Sequence, residues 1–498
     1  MGRKGHTRTV ILVLTAVVVA VTLGPALHGC GQGSSPLSRV AEAIGLDPYS
    51  LSHAEARQVS RFNAAFGADR PDDSASPSLR QFRDAYKRVR AAYVFDVSAA
   101  ALVDAAIDGL EKVDSSQADA TSDQRLEGAL DGMMTALDPH SAYFNAEELR
   151  EAEVSTSGEF GGLGIQVSQD DGAIKVIAPI EDTPADRAGL KTGDVISHLD
   201  GESIAGMRLL DAVRLMRGQP GTDIRLTVER EGEQSFDVVI TRAVIRIRPV
   251  RWRAIDEFGY IRVASFNERV SRGLGAAFEN LAASIDGGPK GIVLDLRNNP
   301  GGLLEQALVL SDAFLADGPI VSVRGRNGST DRSFDAGPGD PGEDLPVVVL
   351  VNGGSASASE IVASALQDQR RGVVMGGRSF GKGSVQTVMP LPMEGAIKLT
   401  TALYYAPLGR AIQARGVFPD IVLQGTVDDD RRLSREADLP GALPPADDNQ
   451  RWSAPEVKGA TCPEVTGEDD VAIRCAVSLL RAGSTDGFLA MVESERPS

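Results

Sequence analysis

Between residues 291 and 386 the chain repeats one plan, and that plan limits the folds open to it. "GIVLDLRNNPGGLLEQALVLSDAFL" (291–315) reads as a buried strand, a glycine turn and a helix. "LPVVVLVNGGSASASEIVASALQD" (345–368) reads the same way, and "RGVVMGGRSFGKGSVQ" (371–386) is a third strand running into a loop. Apolar strands alternating with helices predict an α/β sheet. Sites in such sheets sit on the loops at the carboxyl ends of the strands. The candidates are therefore the turns near 300, 355 and 380.

The last of these turns looks at first like a nucleotide site. Gly376, Gly381 and Lys382 match G-x-x-x-x-G-K-[ST], but Gly383 stands where the hydroxyl belongs. The "GSVQTVMPLP" that follows is poor helix sequence, and a phosphate loop needs a helix there. Nucleic acid is excluded as a partner too, since the net charge is −18 and phosphate neutralisation needs basic surface. That leaves Lys382 to serve a nucleophile. Ser355, Ser357 and Ser359 stand at a predicted helix start, with Ser359 expected as its cap and Ser357 just outside it. All five histidines lie at or before residue 198, so a Ser-His-Asp triad within this segment is excluded. A lysine is a base only once burial disfavours its charged form. Gln386 is placed to orient the amine.

"NGGSASASEI", "GRSFGKGSVQ" and "DLRNNPGG" together resemble the carboxy-terminal processing peptidases, exported serine endopeptidases with a Ser-Lys dyad. The resemblance runs from about residue 79 to 425. It implies Ser357 as nucleophile, because Ser357 and Lys382 are 25 positions apart as in that family, with Lys382 as general base and Gln386 as its partner. It also implies a crotonase-like α/β core. Oxyanion donors are expected from the N–H of Ala358 and from Gly301 or Gly302. "GEFGGLGIQVSQDD…" resembles a PDZ domain, whose Leu163-Gly164-Ile165 turn would hold a peptide's terminal carboxylate. Arg217, closing the groove helix, is expected to act as a regulatory switch by bonding the core in one of two arrangements.

The expected organisation is a signal peptide or membrane anchor over 1–30, a linker over 31–78 and an N-terminal helical region over 79–149. A PDZ domain (150–244), a serine protease core (245–425), and an acidic linker with a helical tail (426–498) follow. Arg3, Lys4, His6 and Arg8 precede an apolar run at 11–27, which reads as an export signal. Cys30 is a candidate lipidation site. Export would place the protein in the periplasm, free or membrane-anchored, where Cys462 and Cys475 have the chance to pair. The function expected is cleavage of proteins selected by their free C-termini, with no metal or cofactor. A homo-oligomer or an adaptor protein is among the partners compatible with it. The other reading is a peptide-binding scaffold with an inactive core.

Overall fold

The structure, a computed structural model, describes residues 51–494 apart from 68–75, 426–434, 446–452 and a few single positions. The segment expected to direct export, 1–30, with Cys30, lies outside the described residues. Among those described, no helix is long and apolar enough to cross a membrane. The chain divides into two units. The first holds the helices His53–Phe66 and Ala99–Ser116, with most of Pro77–Ala92 and the start of Ser122–Thr135. Its core is Val59, Phe62, Phe82, Tyr86, Val103 and Leu110, and Phe62 stacks on Phe82. His53–Phe66 corrects the expectation of a linker there. Ser52 and Glu55 close a capping box at its start, and Val59, Phe62 and Phe66 bury one face.

The second unit is built on a seven-stranded sheet. Its order is Val250–Ile255, Phe258–Val263, Ile292–Asp295, Val347–Val351, Gly372–Gly376, Ile421–Gln424 and Glu456–Lys458. The first pair is antiparallel and every later pair is parallel. The central strands Ile292–Asp295 and Val347–Val351 are buried on both faces, as a sheet covered on both sides requires. Ile292, Leu294, Val347, Val349 and Val351 pack toward the helices Val270–Ser284, Leu304–Asp312 and Ala358–Asp368. Val293, Val348, Leu350 and Met375 pack on the opposite face, against Ile473, Ala476, Leu479 and Phe488 of the last two helices. The C-terminal region is therefore more than a linker and a helical tail: it adds the seventh strand and covers one face of the sheet. Cys462 and Cys475 are disulfide-bonded.

A second, antiparallel sheet pairs Ala396–Tyr405 with Ala142–Phe144, Pro319–Gly325 and Ser384–Pro390. A third sheet of six strands, between Ile165 and Thr241, carries its own core around Ile174, Leu199, Leu226 and Val228. The chain enters and leaves this small domain through one paired stalk, Glu159–Gly162 against Ala243–Arg246.

Candidate active site

The strand Val347–Val351 runs into a tight turn and then the helix Ala358–Asp368. Ser357 lies at the junction with φ +54°, a conformation that non-glycine residues seldom hold without being forced. The neighbouring groups do the forcing. Ser355 Oγ donates to Leu296 O (2.8 Å) and receives Asn352 N–H (3.0 Å). Ser359 is not the cap that its spacing suggests. It sits fully buried in the first turn and donates its Oγ to Asn299 O (2.9 Å). Ser357 takes the capping position instead, with its carbonyl receiving Glu360 N–H (2.9 Å) and its Oγ making no capping hydrogen bond. Of the three serines, Ser357 has the hydroxyl left over.

Glu360 joins this turn to the lysine loop. It is wholly buried, and four donors converge on its carboxyl group. Ser379 Oγ (2.5 Å) and Gly381 N–H (2.7 Å) reach Oε1, while Ser357 N–H (2.7 Å) and Lys382 N–H (2.9 Å) share Oε2. One oxygen atom thus fixes the backbones of both predicted dyad members. Burial pushes the Glu360 carboxyl up, to about 7, against the pull of these donors. Ser357-x-x-Glu360 is a capping-box pattern, and that signal was present in the sequence.

The loop's glycines are there for fit. A Cβ on Gly383 would meet Gln413 N at 2.2 Å, and Gly381 has φ +102°. A strand follows Lys382, not the helix of a phosphate site. Among the described residues the Lys382 amine makes no hydrogen bond or ion pair. Burial, with the positive charge of Lys398, holds its pKa below the ordinary lysine range, while Glu436, Asp138 and Glu360 pull the other way. Glu436 is itself shared between His140 Nε2 (2.7 Å) and Gln413 Nε2 (2.9 Å). Gln386 does not bond Lys382 here; its amide nitrogen donates to Ser384 Oγ (2.9 Å) and Thr400 Oγ1 (3.3 Å).

The turn Asn298–Gly302 lies against Ser357. Asn298, at φ +56°, exchanges hydrogen bonds with Asn352, and Asn299 O receives Ala356 N–H (3.0 Å). A Cβ on Gly301 would come within 2.8 Å of both Ala356 O and Ser357 Cβ. The Gly301 N–H is already committed to Asn299 Oδ1 (2.9 Å). The N–H groups of Gly302 and Ala358 have no acceptor among the described residues.

In the small domain, a groove runs between Leu163, Ile165 and Val167 on one side and Val213 and Met216 of the helix Leu209–Met216 on the other. The carbonyls of Leu163 and Gly164 receive Ala185 N–H (2.9 Å) and Ile180 N–H (2.8 Å). Their own N–H groups have no acceptor among the described residues. Arg217 lies at the end of the groove with its guanidinium 5.0 Å from the Phe160 ring centre, and its Nε is buried without a partner. Among the described residues of the core, none receives a hydrogen bond from the Arg217 side chain.

Residues 257–423 match peptidase family S41, and residues 161–239 match the PDZ domain. A carboxy-terminal-processing protease of Bartonella bacilliformis is 45% identical over 385 residues, covering 76% of this chain and 88% of that protein. The carboxy-terminal processing protease CtpA of Bacillus subtilis is 36% identical over 315 residues, 62% of this chain and 66% of the relative. Among solved structures, the photosystem II D1 C-terminal processing protease is 27% identical, covers 74% of this chain and all of its own, and has a TM-score of 0.44. With the serine turn and the groove in view, the chain belongs to peptidase family S41 and is a serine endopeptidase of the carboxy-terminal processing type with a PDZ domain.

Proposed function

We propose that this chain is an exported endopeptidase with a Ser357–Lys382 dyad on a crotonase-like core, acting on proteins captured by their C-terminal tails. The observation that carries the reading is the Glu360 carboxyl group, which holds the backbones of Ser357 and Lys382 through one oxygen. Ser357 Oγ bonds to the scissile carbonyl carbon and its proton passes to Lys382 Nζ. The lysine then gives that proton to the leaving amine. It accepts one again from the water that opens the acyl-enzyme and gives it to Ser357 Oγ as the acyl C–O bond breaks. The oxyanion formed in each half is received by the free N–H groups of Gly302 and Ala358, each worth roughly 2.7–4 kcal/mol of activation energy in comparable sites. Gly301 is passed over because Asn299 already holds its N–H. Gln386 acts from a distance, by fixing Ser384 and Thr400 beside the lysine strand.

The substrate's terminal carboxylate meets the N–H groups of Leu163 and Gly164, and its last residues add to the edge of Ile165–Asp170. Arg217, perched on Phe160 in the stalk, senses the occupied groove. Glu159 beside it pairs with Arg269, three residues from Phe266, whose backbone is bonded to Gly301 O and Leu303 N–H. The basic and apolar N-terminus and the Cys462–Cys475 bond support export to an oxidising compartment.

Cleavage of one peptide made with a free and with an amidated C-terminus tests this. The amidated form is expected to be cut at least about tenfold more slowly at low concentration, because it lacks the charge the N–H groups hold. Ser357→Ala should cut neither form and still bind the free one. Equal cleavage of both forms removes tail capture. Cleavage by Ser357→Ala removes the dyad.

A further inference from the structure

The turn that carries Gly302 is held from a second side, by the last segment of the chain. Arg297 directly precedes Asn298–Gly302 and is almost entirely buried. Its guanidinium grips Asp295 through Nε (2.9 Å) and Nη2 (2.7 Å), and its backbone N–H also donates to Asp295 (3.0 Å). Burial alone would raise the Asp295 carboxyl, but this guanidinium holds it below the usual carboxylate range. Tyr260 OH (2.8 Å) and Arg262 (3.2 Å) complete the set around Asp295. The outer edge of the Arg297 fork is taken by Asp470, at 3.2 and 3.0 Å. Asp470 is 173 residues away in sequence. It caps the helix Val471–Ala482 and receives the N–H groups of Ala472 and Ile473. The Cys462–Cys475 bond closes the loop in which Asp470 lies, and Glu468 in that loop pairs with Arg253 and receives Asp470 N–H (2.9 Å).

We propose that Asp470 is a positioning residue for the oxyanion turn, acting through Arg297, so that the C-terminal segment helps set the catalytic rate. A guanidinium held bidentately has one satisfied geometry. With Asp470 in place, Arg297 is fixed on both edges and the backbone leaving it is aimed at Ser357. Without Asp470, Arg297 keeps Asp295 but loses the two hydrogen bonds at 3.2 and 3.0 Å, and Asn298–Gly302 gains freedom where small displacements matter most. An error of about 1 Å in such a group costs on the order of a hundredfold in rate. The inference rests on the proposed oxyanion role of Gly302.

The test uses the full chain. Asp470→Asn keeps a capping side chain and removes the charge, so cap loss is separated from loss of the Arg297 contact. The kcat per active site, titrated with a fluorophosphonate, is expected to fall about tenfold to a hundredfold with KM unchanged. The affinity of a peptide aldehyde, which forms a tetrahedral adduct on Ser357 with its oxygen in the hole, should fall by the same factor. Asp470→Glu should recover part of both. Replacing Cys462 and Cys475 with serine should lower kcat in the wild type and add little in Asp470→Asn. An unchanged kcat per titrated site overturns the proposal, whatever happens to the melting temperature. So does a fall in kcat without a fall in aldehyde affinity, or a change in KM alone. If the wild-type protein itself forms no aldehyde adduct, the oxyanion reading has failed, and the brace has no target.

Discussion

The serine turn and the peptide groove spend their polar groups in opposite ways. Around Ser357 nearly everything polar is buried and committed: Asn299, Asn352, Ser355, Ser359, Glu360 and Ser379 are all 0–1% exposed and all hydrogen-bonded. What is left over is one hydroxyl, one amine and two N–H groups. The groove is lined by apolar side chains, offers two free N–H groups and holds an arginine whose Nε has no partner. Chemistry at a fixed carbonyl needs donors that do not reorganise during reaction. Accepting tails of differing sequence needs a surface that can repack. In the proposed function both needs fall to one chain, and the serine turn and the groove lie on different sheets joined by a two-stranded stalk.

The comparison breaks most visibly at the proposed dyad. Ser357→Ala and Lys382→Ala should each reduce peptide cleavage to background, on the order of a millionfold, and the double variant should be no worse, because members of one catalytic unit are not additive. The melting temperature of Ser357→Ala should stay close to that of the wild type, since the hydroxyl caps nothing. Near-normal turnover in Lys382→Ala would end the lysine-base account.

A smaller but still large loss is expected at Glu360. Glu360→Ala strands the N–H groups of Ser357, Gly381 and Lys382, each costing about 1–3 kcal/mol when buried without a partner. The kcat should fall by roughly two orders of magnitude and stability should fall with it. A kcat unchanged in a well-folded variant would show that the two loops hold themselves.

The pH profile sharpens the same point. Glu360 takes up a proton as pH falls through about 7 and can then no longer accept from all four donors. The Lys382 amine, held below the ordinary lysine range by burial and Lys398, is also lost as a base when it takes up a proton, so kcat/KM should fall toward acid pH. Lys398→Gln removes a like charge, raises the Lys382 pKa and should move the acid limb to higher pH; a limb that stays or moves down rejects the assignment. Stability follows the reverse course. A carboxyl raised from 4.5 to about 7 contributes most below pH 4.5, and that contribution is lost as pH rises to 7. The smallest effect belongs to the groove. Gly164→Ala would place a Cβ 2.3 Å from Thr183 at φ +81°, so binding of a fluorescent tail peptide should weaken about tenfold while the isolated chemistry on an untailed substrate is spared. Loss of both together would mean that groove and turn are one site.

Local pattern carried much of this. The apolar runs at 292–295, 347–351 and 372–376 are strands, and the glycine turns between them hold the site. Spacing put the cap at Ser359 and the structure puts it at Ser357, because the partners of Ser355 and Ser359, Leu296 O and Asn299 O, come from the neighbouring turn. Glu360 was readable as a cap and not as a clamp, since its other three donors come from residues 379, 381 and 382 in another loop. Arg297 and Asp470 carry no periodic signal at all. The helix at 53–66 was hidden by its polar content, because only Val59, Phe62 and Phe66 mark its buried face. The strand Glu456–Lys458 is three residues long, too short to alternate.

The sheet's last strand and its covering helices arrive late. As the chain leaves the ribosome, Val293, Val348, Leu350 and Met375 emerge while Ile473, Leu479 and Phe488 are still inside. At about 5–20 residues per second that interval lasts several seconds. During it one face of the sheet is bare and Arg297 lacks Asp470. A nascent peptidase in that condition is exposed to chaperones and poor at its chemistry, and it becomes a finished enzyme only when its final helix closes over the sheet.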